Sequence, residues 1–107
     1  MKHIKIWVDD VRPAPDGYVW YQTVEETIRA IKIYARYNVH IDVIDLDHDA
    51  GEFYKDGGDY IEILNYLEEY MLDIPIRIHS MNVVGVENMR RIIQKNGWKE
   101  IRWLQKL

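Results

Sequence analysis

Three short segments of this sequence concentrate side chains that can bind cations or move protons. The first holds adjacent carboxylates, Asp9 and Asp10, and the second, Asp45–Asp49, reads Asp-Leu-Asp-His-Asp. The third joins an imidazole to a hydroxyl, at His79 and Ser80. Carboxylate oxygens suit Mg²⁺ or Mn²⁺, and an imidazole titrates near neutral pH. These residue types indicate either a divalent-cation site or metal-free acid–base chemistry, and both interpretations stay open.

The candidate cation ligands are four carboxylates in the first two segments. We predict that Asp9, Asp10 and Asp47 bind one Mg²⁺ or Mn²⁺ ion, with Asp49 as a further ligand. Asp10 and Asp47 are also candidates for activating water. Simpler roles remain open, since Asp9 or Asp10 can cap a loop and Asp47 can accept hydrogen bonds from loop N–H groups. For Asp49, an Asx-turn into the following loop is favoured.

Hydrophobic periodicity and turn residues predict the elements that hold these segments. Predicted strands cover residues 3–9, 18–22, 41–47, 75–79 and 99–104. Predicted helices run from a capping box at Thr23 and Glu26 to about Asn38, from a cap at Asp59 to about Leu72, and from about Val83 to Lys95. The third helix is predicted to stop at Asn96-Gly97, a good C-cap. Strands that alternate with helices predict an α/β fold with a mainly parallel sheet. Ligands of such sheets bind beyond the carboxyl ends of the strands, which is where the three polar segments fall.

Composition limits the class of protein. The 107 residues suffice for one domain, residues 1–107, and the absence of cysteine excludes disulfides and thiolate metal sites. The net charge of −4 provides no global attraction for nucleic acid, although a single RNA end can still bind locally. No apolar run is long enough to span a membrane, and the N-terminus is typical of a strand and not of a secretory signal. A cytoplasmic protein without a membrane partner is expected.

The three polar segments together resemble the cyclic-phosphate processing receiver-like family, a divergent branch of the receiver domains of two-component signalling. The family motifs D-D-x-R-P, S-L-D-H-D-L-G and H-S-x-N-P-x-G correspond here to Asp9–Pro13, Asp45–Gly51 and His79–Gly85. The departures are Asp45 for Ser, Ala50 for Leu and Val83 for Pro, and none removes a polar group of the site. The resemblance implies a receiver-like, flavodoxin-like fold with a five-stranded sheet in the order 2-1-3-4-5.

The resemblance also implies a function. The family's proposed role is cyclic-phosphate processing, which here means a phosphoesterase-like enzyme or a binder for a 2′,3′-cyclic nucleotide or RNA end, as in RNA repair. Ordinary phosphorelay is the weaker option, because receivers carry a lysine at the end of strand five. Here that region reads Arg102-Trp103-Leu104-Gln105, with Lys106 late. Phosphorylation of Asp47 is therefore not the favoured reaction.

The histidines become candidate proton carriers under this resemblance. His48 is a possible general acid or base, and His79 can protonate a leaving ribose oxygen. A pair of histidines can open a cyclic phosphodiester without metal, so the need for a cation stays open. The simpler alternatives are a hydrogen bond from His48 to a backbone carbonyl and a cross-strand pair between His79 and Asp47.

Three further side chains are candidates for binding the substrate. Arg12 suits bidentate contact with a phosphate, against the alternative of pairing with Asp10. Ser80 can bond a phosphate oxygen, as the corresponding receiver residue does. Asn82 can also contact substrate, but its position favours an N-cap of the third helix.

A different class of function also fits: a non-enzymatic receiver-like module that binds a protein or senses a ligand. Right-handed crossovers in the implied strand order place the three predicted helices largely on one face of the sheet. Strand alternation then puts Lys5, Asp45 and Arg77 on the other face, where they can pair across strands. Trp7 and Trp103 can add apolar area there, so this face is a candidate surface for a homodimer or protein partner.

Overall fold

The computed structural model describes residues 2–102 of the protein as an α/β fold. Its strands are β1 (His3–Val8), β2 (Tyr18–Tyr21), β3 (His40–Leu46) and β4 (Ile76–Ile78). Its helices are α1 (Val24–Arg36), α2 (Ile61–Glu69) and α3 (Val83–Asn96), with a 3₁₀ helix at Gly51–Asp56. The strands form one parallel sheet in the order β2-β1-β3-β4. Among the helices of residues 2–102, none has the length and apolar character needed to cross a membrane.

The predicted fifth strand, residues 99–104, is wrong for residues 99–102, the part of it that the structure describes. Glu100 forms one isolated parallel bridge with Ile76, and Ile101 N donates to Ile76 O at 2.8 Å. Strand β4 has only three residues, so it offers little edge along which a fifth strand can pair. Residues 103–107 lie outside the described part of the chain, and with them the expectations for Trp103 and Lys106.

The helix boundaries follow local signals in the sequence. Thr23 caps α1, since its Oγ1 accepts a hydrogen bond from Glu26 N at 2.9 Å and donates to the Glu26 carboxylate at 3.1 Å. Helix α3 ends at Gly97, which adopts the left-handed φ of 68° that favours glycine. The predicted cap at Asp59 is wrong, because its carboxylate instead accepts from Ala50 N at 3.0 Å. Helix α2 consequently begins two residues after Asp59.

One face of the sheet carries the hydrophobic core. Ile6 and Val8 of β1 and Ile44 and Leu46 of β3 are fully buried there. Buried residues from all three helices join the same cluster. Burying such side chains contributes roughly 1.5–3 kcal/mol each. The three helices thus cover a single face of the sheet, as predicted from the right-handed crossovers.

The other face is covered in part by the loop of residues 9–17, which connects β1 to β2. The two strands are parallel, so this short loop must return along the sheet. It passes the helix-free face, where Trp7 Nε1 donates to Arg12 O at 2.8 Å. Trp7 is consequently only 7% exposed. The expectation that Trp7 adds apolar area to an open surface is therefore wrong.

Candidate functional site

The carboxyl ends of β1 and β3 bring three carboxylates together. One oxygen of each of Asp9, Asp10 and Asp47 lies within 4.8 Å of the others. Asp9 and Asp10 directly follow β1, and Asp47 directly follows β3, where its N–H donates to Val8 O at 2.9 Å. Neighbouring parallel strands end at the same edge of a sheet, which explains why these residues converge. We refer to Asp9, Asp10, Asp47 and the adjacent His48 as the carboxyl-edge site.

Asp9 is the buried member of this site, with 1% of its surface exposed. Its Oδ1 accepts hydrogen bonds from Val11 N at 3.0 Å and Arg12 N at 2.8 Å, and its Oδ2 lies 2.9 Å from His79 Nε2. Burial raises the pKa of Asp9, but these hydrogen bonds outweigh burial and hold the pKa below its usual range. A carboxylate offers about four lone-pair positions, so Asp9 keeps about one, on Oδ2, for an external ligand.

The pKa of Asp10 is shifted in the direction opposite to that of Asp9. Partial burial and the negative charges of Asp9 and Asp47 raise its pKa above the usual range. A Cβ atom at Gly51, which has a left-handed φ of 55°, would overlap Asp10 Oδ2. Glycine at this position therefore lets Asp10 lie against the loop that follows β3. Like charges held this close favour the uptake of either a proton or a cation.

A chain of buried charged groups lies behind Asp9, on the helix-free face. His79 Nδ1 is 2.6 Å from Asp45 Oδ1, and Arg77 donates to the other Asp45 oxygen at 2.9 Å. The Trp7 and His79 rings stack with their centroids 3.7 Å apart and their planes within 5°. Because carboxylates only accept, the arrangement is satisfied when both ring nitrogens of His79 carry a hydrogen for Asp9 and Asp45. Neither ring nitrogen is then available to a substrate.

Two expectations about these buried charged groups have opposite outcomes. The pair between Arg77 and Asp45 is confirmed. The pair between His79 and Asp47 is wrong, because the His79 ring lies between Asp9 and Asp45. In register, Trp7 of β1 pairs with Asp45 of β3, and Asp45 pairs with Arg77 of β4, so these three side chains lie on the same face of the sheet.

His48 is the second imidazole at this edge. Its backbone N–H donates to Asp47 Oδ1 at 2.7 Å, and its Nδ1 lies 2.8 Å from Asp49 Oδ1. A Cβ atom at Gly85, in the first turn of α3, would overlap the imidazole ring. Glycine there lets the helix pack directly against the ring. Within residues 2–102 the hydrogen bonds of the ring are all made by Nδ1, so Nε2 is the nitrogen left to exchange a proton.

Asp49 does not join the three carboxylates. It is exposed, and its oxygens accept hydrogen bonds from Asn82 Nδ2 at 3.2 and 3.3 Å while also facing His48. With His48 and Asp59 it forms a separate group of possible ligands. The favoured Asx-turn is also not formed, since within the described residues the carboxylate of Asp49 contacts side chains only.

The three candidate substrate-binding residues have different positions. Asn82 caps α3, as favoured, because its Oδ1 accepts from Gly85 N at 2.9 Å. Ser80 Oγ accepts from Asn82 N at 3.1 Å and is only partly exposed. Arg12 is exposed, and over residues 2–102 its guanidinium forms no ion pair, with Asp10 or with any other acid. Its charge remains directed to solvent beside the carboxyl-edge site.

Sequence reasoning missed the residues that hold these side chains in place. Asp45 was expected only to neutralise a cation on the helix-free face, yet it also contacts His79. The supporting roles of Trp7, Gly51 and Gly85 were not predicted. Gly85 did offer a signal, because a glycine near the start of a helix costs about 1 kcal/mol relative to alanine and often marks a close contact.

Comparison with known proteins gives one match. The family model described as the cyclic-phosphate processing receiver domain matches residues 4–95, which include all the candidate site residues. Neither the curated proteins nor the solved structures include one that matches this chain.

Proposed function

The chain belongs to the cyclic-phosphate processing receiver domains, and from that premise we propose that the carboxyl-edge site binds a 2′,3′-cyclic nucleotide or RNA end and opens its phosphate ring by hydrolysis. The observation that carries the proposal is the convergence of Asp9, Asp10 and Asp47 next to His48. An enzyme of this kind needs a group to activate water and a group to protonate the leaving oxygen. The site supplies candidates for both.

The negative charge of the three carboxylates must be offset by a cation before a phosphate can approach. A cyclic phosphodiester carries a negative charge, and three carboxylates within 4.8 Å of one another repel it. An all-oxygen donor set suits Mg²⁺ or Mn²⁺, and partial burial together with the neighbouring negative charges raises the pKa of Asp10. Asp10 and Asp47 would be the main ligands, with one oxygen of Asp9. When bound, such an ion would offset the repulsion and polarise the phosphate.

The proposed proton steps use the chain's own residues. Hydrolysis forms one bond from the water oxygen to phosphorus and breaks one ring P–O bond, and the released ribose oxygen takes up a proton. Asp10 or Asp47 accepts the proton of the attacking water. His48 supplies the proton to the ribose oxygen from Nε2, because Asp49 engages Nδ1. Arg12 contacts the phosphate from the solvent side, and Ser80, which follows the carboxyl end of β4, shares that contact.

His79 has a positioning role in this proposal. A metal-free mechanism with two mobile histidines needs a free nitrogen on each ring, and both nitrogens of His79 face carboxylates. We therefore assign to His79 the task of fixing the Asp9 carboxylate. The proposed activity consequently depends on a divalent cation.

The test is incubation of the purified protein with 2′,3′-cyclic AMP in Mg²⁺, in Mn²⁺ and in EDTA, with the products separated by chromatography. Ring opening in the metal-containing samples and its loss in EDTA are expected. Asp47→Asn and His48→Gln should lower the rate by about 10²-fold or more, the usual contribution of an acid–base group. Asp73→Asn is the matched control, because Asp73 is exposed and precedes β4, at the end of that strand opposite to the carboxyl edge.

A second function is favoured by the apolar residues around the site. Val11 is 77% exposed, Met81 91%, Val83 75% and Val84 72%, and all lie in segments that border the carboxyl edge. Exposed apolar clusters next to a polar site are typical of partner surfaces. A non-enzymatic module would use this rim to bind a protein. If no condition gives ring opening and the cyclic nucleotide causes no NMR shift changes at the site, the enzymatic proposal fails and this alternative replaces it.

A further inference from the structure

A second group of possible metal ligands lies at the opposite, amino-terminal edge of the sheet. His3 begins β1, His40 begins β3, and the two residues are directly paired in the parallel register. Their rings meet edge to face, with centroids 5.0 Å apart. Asp42 Oδ1 lies 2.8 Å from His3 Nδ1 and 3.5 Å from His40 Nε2. We refer to His3, His40 and Asp42 as the amino-edge cluster.

A β-bulge explains why Asp42 joins the two histidines. Asp42 has no partner in β1, because its two neighbours in β3 pair with Ile4 and Lys5, which are consecutive. Such an extra residue bends the strand and re-aims a side chain. Backbone pairing continues to the end of the sheet, where His40 N donates to Lys2 O at 2.8 Å. The three side chains therefore project from a hydrogen-bonded frame.

We propose that the amino-edge cluster binds a divalent transition-metal ion, with Zn²⁺ as the type ion. Two imidazole nitrogens and one carboxylate oxygen are donors that Zn²⁺ prefers, whereas Mg²⁺ prefers oxygen alone. A tetrahedral Zn²⁺ with ligand bonds of about 2.0–2.1 Å separates its ligand atoms by roughly 3.3 Å. The N–O separations of 2.8 and 3.5 Å lie on either side of that value, so small side-chain rotations complete the site.

The exposure of the cluster to solvent and its number of ligand side chains both agree with a Zn²⁺ site. The side chains of His3 and His40 are 56% and 52% exposed, so an ion can enter directly from solvent. Three protein ligands leave one tetrahedral position for water or for a ligand from another molecule. Of the three groups of possible ligands within residues 2–102, this is the one with two imidazoles. The three carboxylates of the carboxyl-edge site offer oxygen donors only and should select a different ion.

The proposal is tested by titrating untagged protein with Zn²⁺, because a polyhistidine tag would itself bind the ion. Calorimetry should show one saturable site, and the side-chain NMR signals of His3 and His40 should shift together. EDTA should reverse both changes. If the wild-type protein shows no saturable binding, or if the shifts occur at His48 instead, the proposal is overturned.

Substitutions at the two exposed histidines show whether these side chains bind the ion. His3→Gln and His40→Gln should each weaken Zn²⁺ binding by at least about tenfold, the lower bound for disturbing a metal site even outside its direct ligands. Glu87→Gln, at an exposed position of α3 outside the three groups of possible ligands, is the control and should leave the Zn²⁺ affinity unchanged. Unchanged binding in both test variants, or loss of binding in the control, would place the ion elsewhere. Backbone NMR spectra that superimpose outside the amino edge establish that the variants remain folded.

Discussion

Glycine residues determine where two side chains of the carboxyl-edge site can lie. A Cβ atom at Gly51 would overlap Asp10, and a Cβ atom at Gly85 would overlap the His48 ring. The two glycines act differently, because Gly51 has a positive φ whereas Gly85 lies in regular helix α3. A substitution at Gly85 therefore tests side-chain position without imposing backbone strain.

Gly85→Ala is predicted to displace the His48 ring while leaving the protein folded. Alanine favours helix by about 1 kcal/mol relative to glycine, so any loss of activity would arise from the ring and not from α3. The His48 imidazole NMR signal should shift, and ring opening should fall toward the rate of His48→Gln. Val84→Ala, at an exposed neighbouring position, is the control. An unchanged His48 signal in Gly85→Ala would contradict the predicted contact.

Asp45 holds the buried charges of the helix-free face together. It is 1% exposed and contacts both Arg77 and His79, while Arg77 Nε is buried without a partner among the described residues. Removing one member of a buried ion pair leaves the other charge uncompensated. The network is thus more sensitive to loss of Asp45 than to loss of a surface acid.

Asp45→Asn is predicted to lower the free energy of unfolding by about 3 kcal/mol, as expected when a buried charge loses its partner. Urea unfolding followed by circular dichroism measures the change. Asp73→Asn, an exposed acid, should change the same quantity by less than about 0.5 kcal/mol. A loss below about 1 kcal/mol in Asp45→Asn would indicate that water already screens the pair with Arg77.

At the scale of elements, the loop of residues 9–17 stands where a crossover helix would usually lie. It carries Asp9, Asp10 and Arg12, and its path is fixed by side chains of the strands that it joins. Trp7 Nε1 donates to Arg12 O, and Trp20 Nε1 donates to Asp9 O at 2.9 Å. The two indoles therefore hold the carboxylates at the sheet edge.

Trp7→Phe is predicted to loosen this loop. Phenylalanine keeps a ring that can stack on His79 but lacks the N–H that bonds Arg12 O, and losing such a bond costs about 1 kcal/mol. Hydrogen exchange should become faster in peptides that cover residues 9–17. Trp98→Phe is the control, because Trp98 packs against the core on the helical face. Equal exchange in wild type and Trp7→Phe would show that the loop does not depend on this bond.

Local signals predicted the elements better than they predicted the contacts between them. The cap at Thr23 and the glycine stop at Gly97 are encoded within a few residues, and both are confirmed. Alternation also placed Asp45 and Arg77 on the same face. The fifth strand was wrong because the pattern at 99–104 says nothing about the length of its partner, β4. The position of His79 between two carboxylates depends on three separate segments, which no local pattern describes.

At the scale of the whole molecule, β1 and β3 place polar groups of different chemistry at the two ends of one sheet. The three clustered carboxylates at the carboxyl edge offer oxygen donors only, while the amino-edge cluster offers two imidazoles and one carboxylate. Six residues of β1 separate the two edges, a distance of roughly 20 Å at about 3.3 Å per residue. At this separation, ions at the two edges should bind independently at physiological salt.

The helix-free face is one surface on which the molecule could associate with itself. Trp7 and Asp45 are buried beneath the loop and the ion pair, whereas Lys5 and Trp20 are exposed on this face and Tyr18 and Arg77 are partly exposed. Stable dimers usually bury about 800 Å² on each partner, with an apolar centre. The indole of Trp20 is the main exposed apolar group on this face, and against a copy of itself the two cations, Lys5 and Arg77, would oppose like charges.

The protein is therefore predicted to be monomeric, and size-exclusion chromatography with light scattering at rising concentration checks this. The mass should stay at that of one chain in low and high salt, and Lys5→Glu should not change it. A mass of two chains would contradict the prediction. If Lys5→Glu then removed the dimer, the helix-free face would be the interface. A dimer that persisted in Lys5→Glu would instead direct attention to the exposed apolar residues Val11, Met81, Val83 and Val84 at the carboxyl edge.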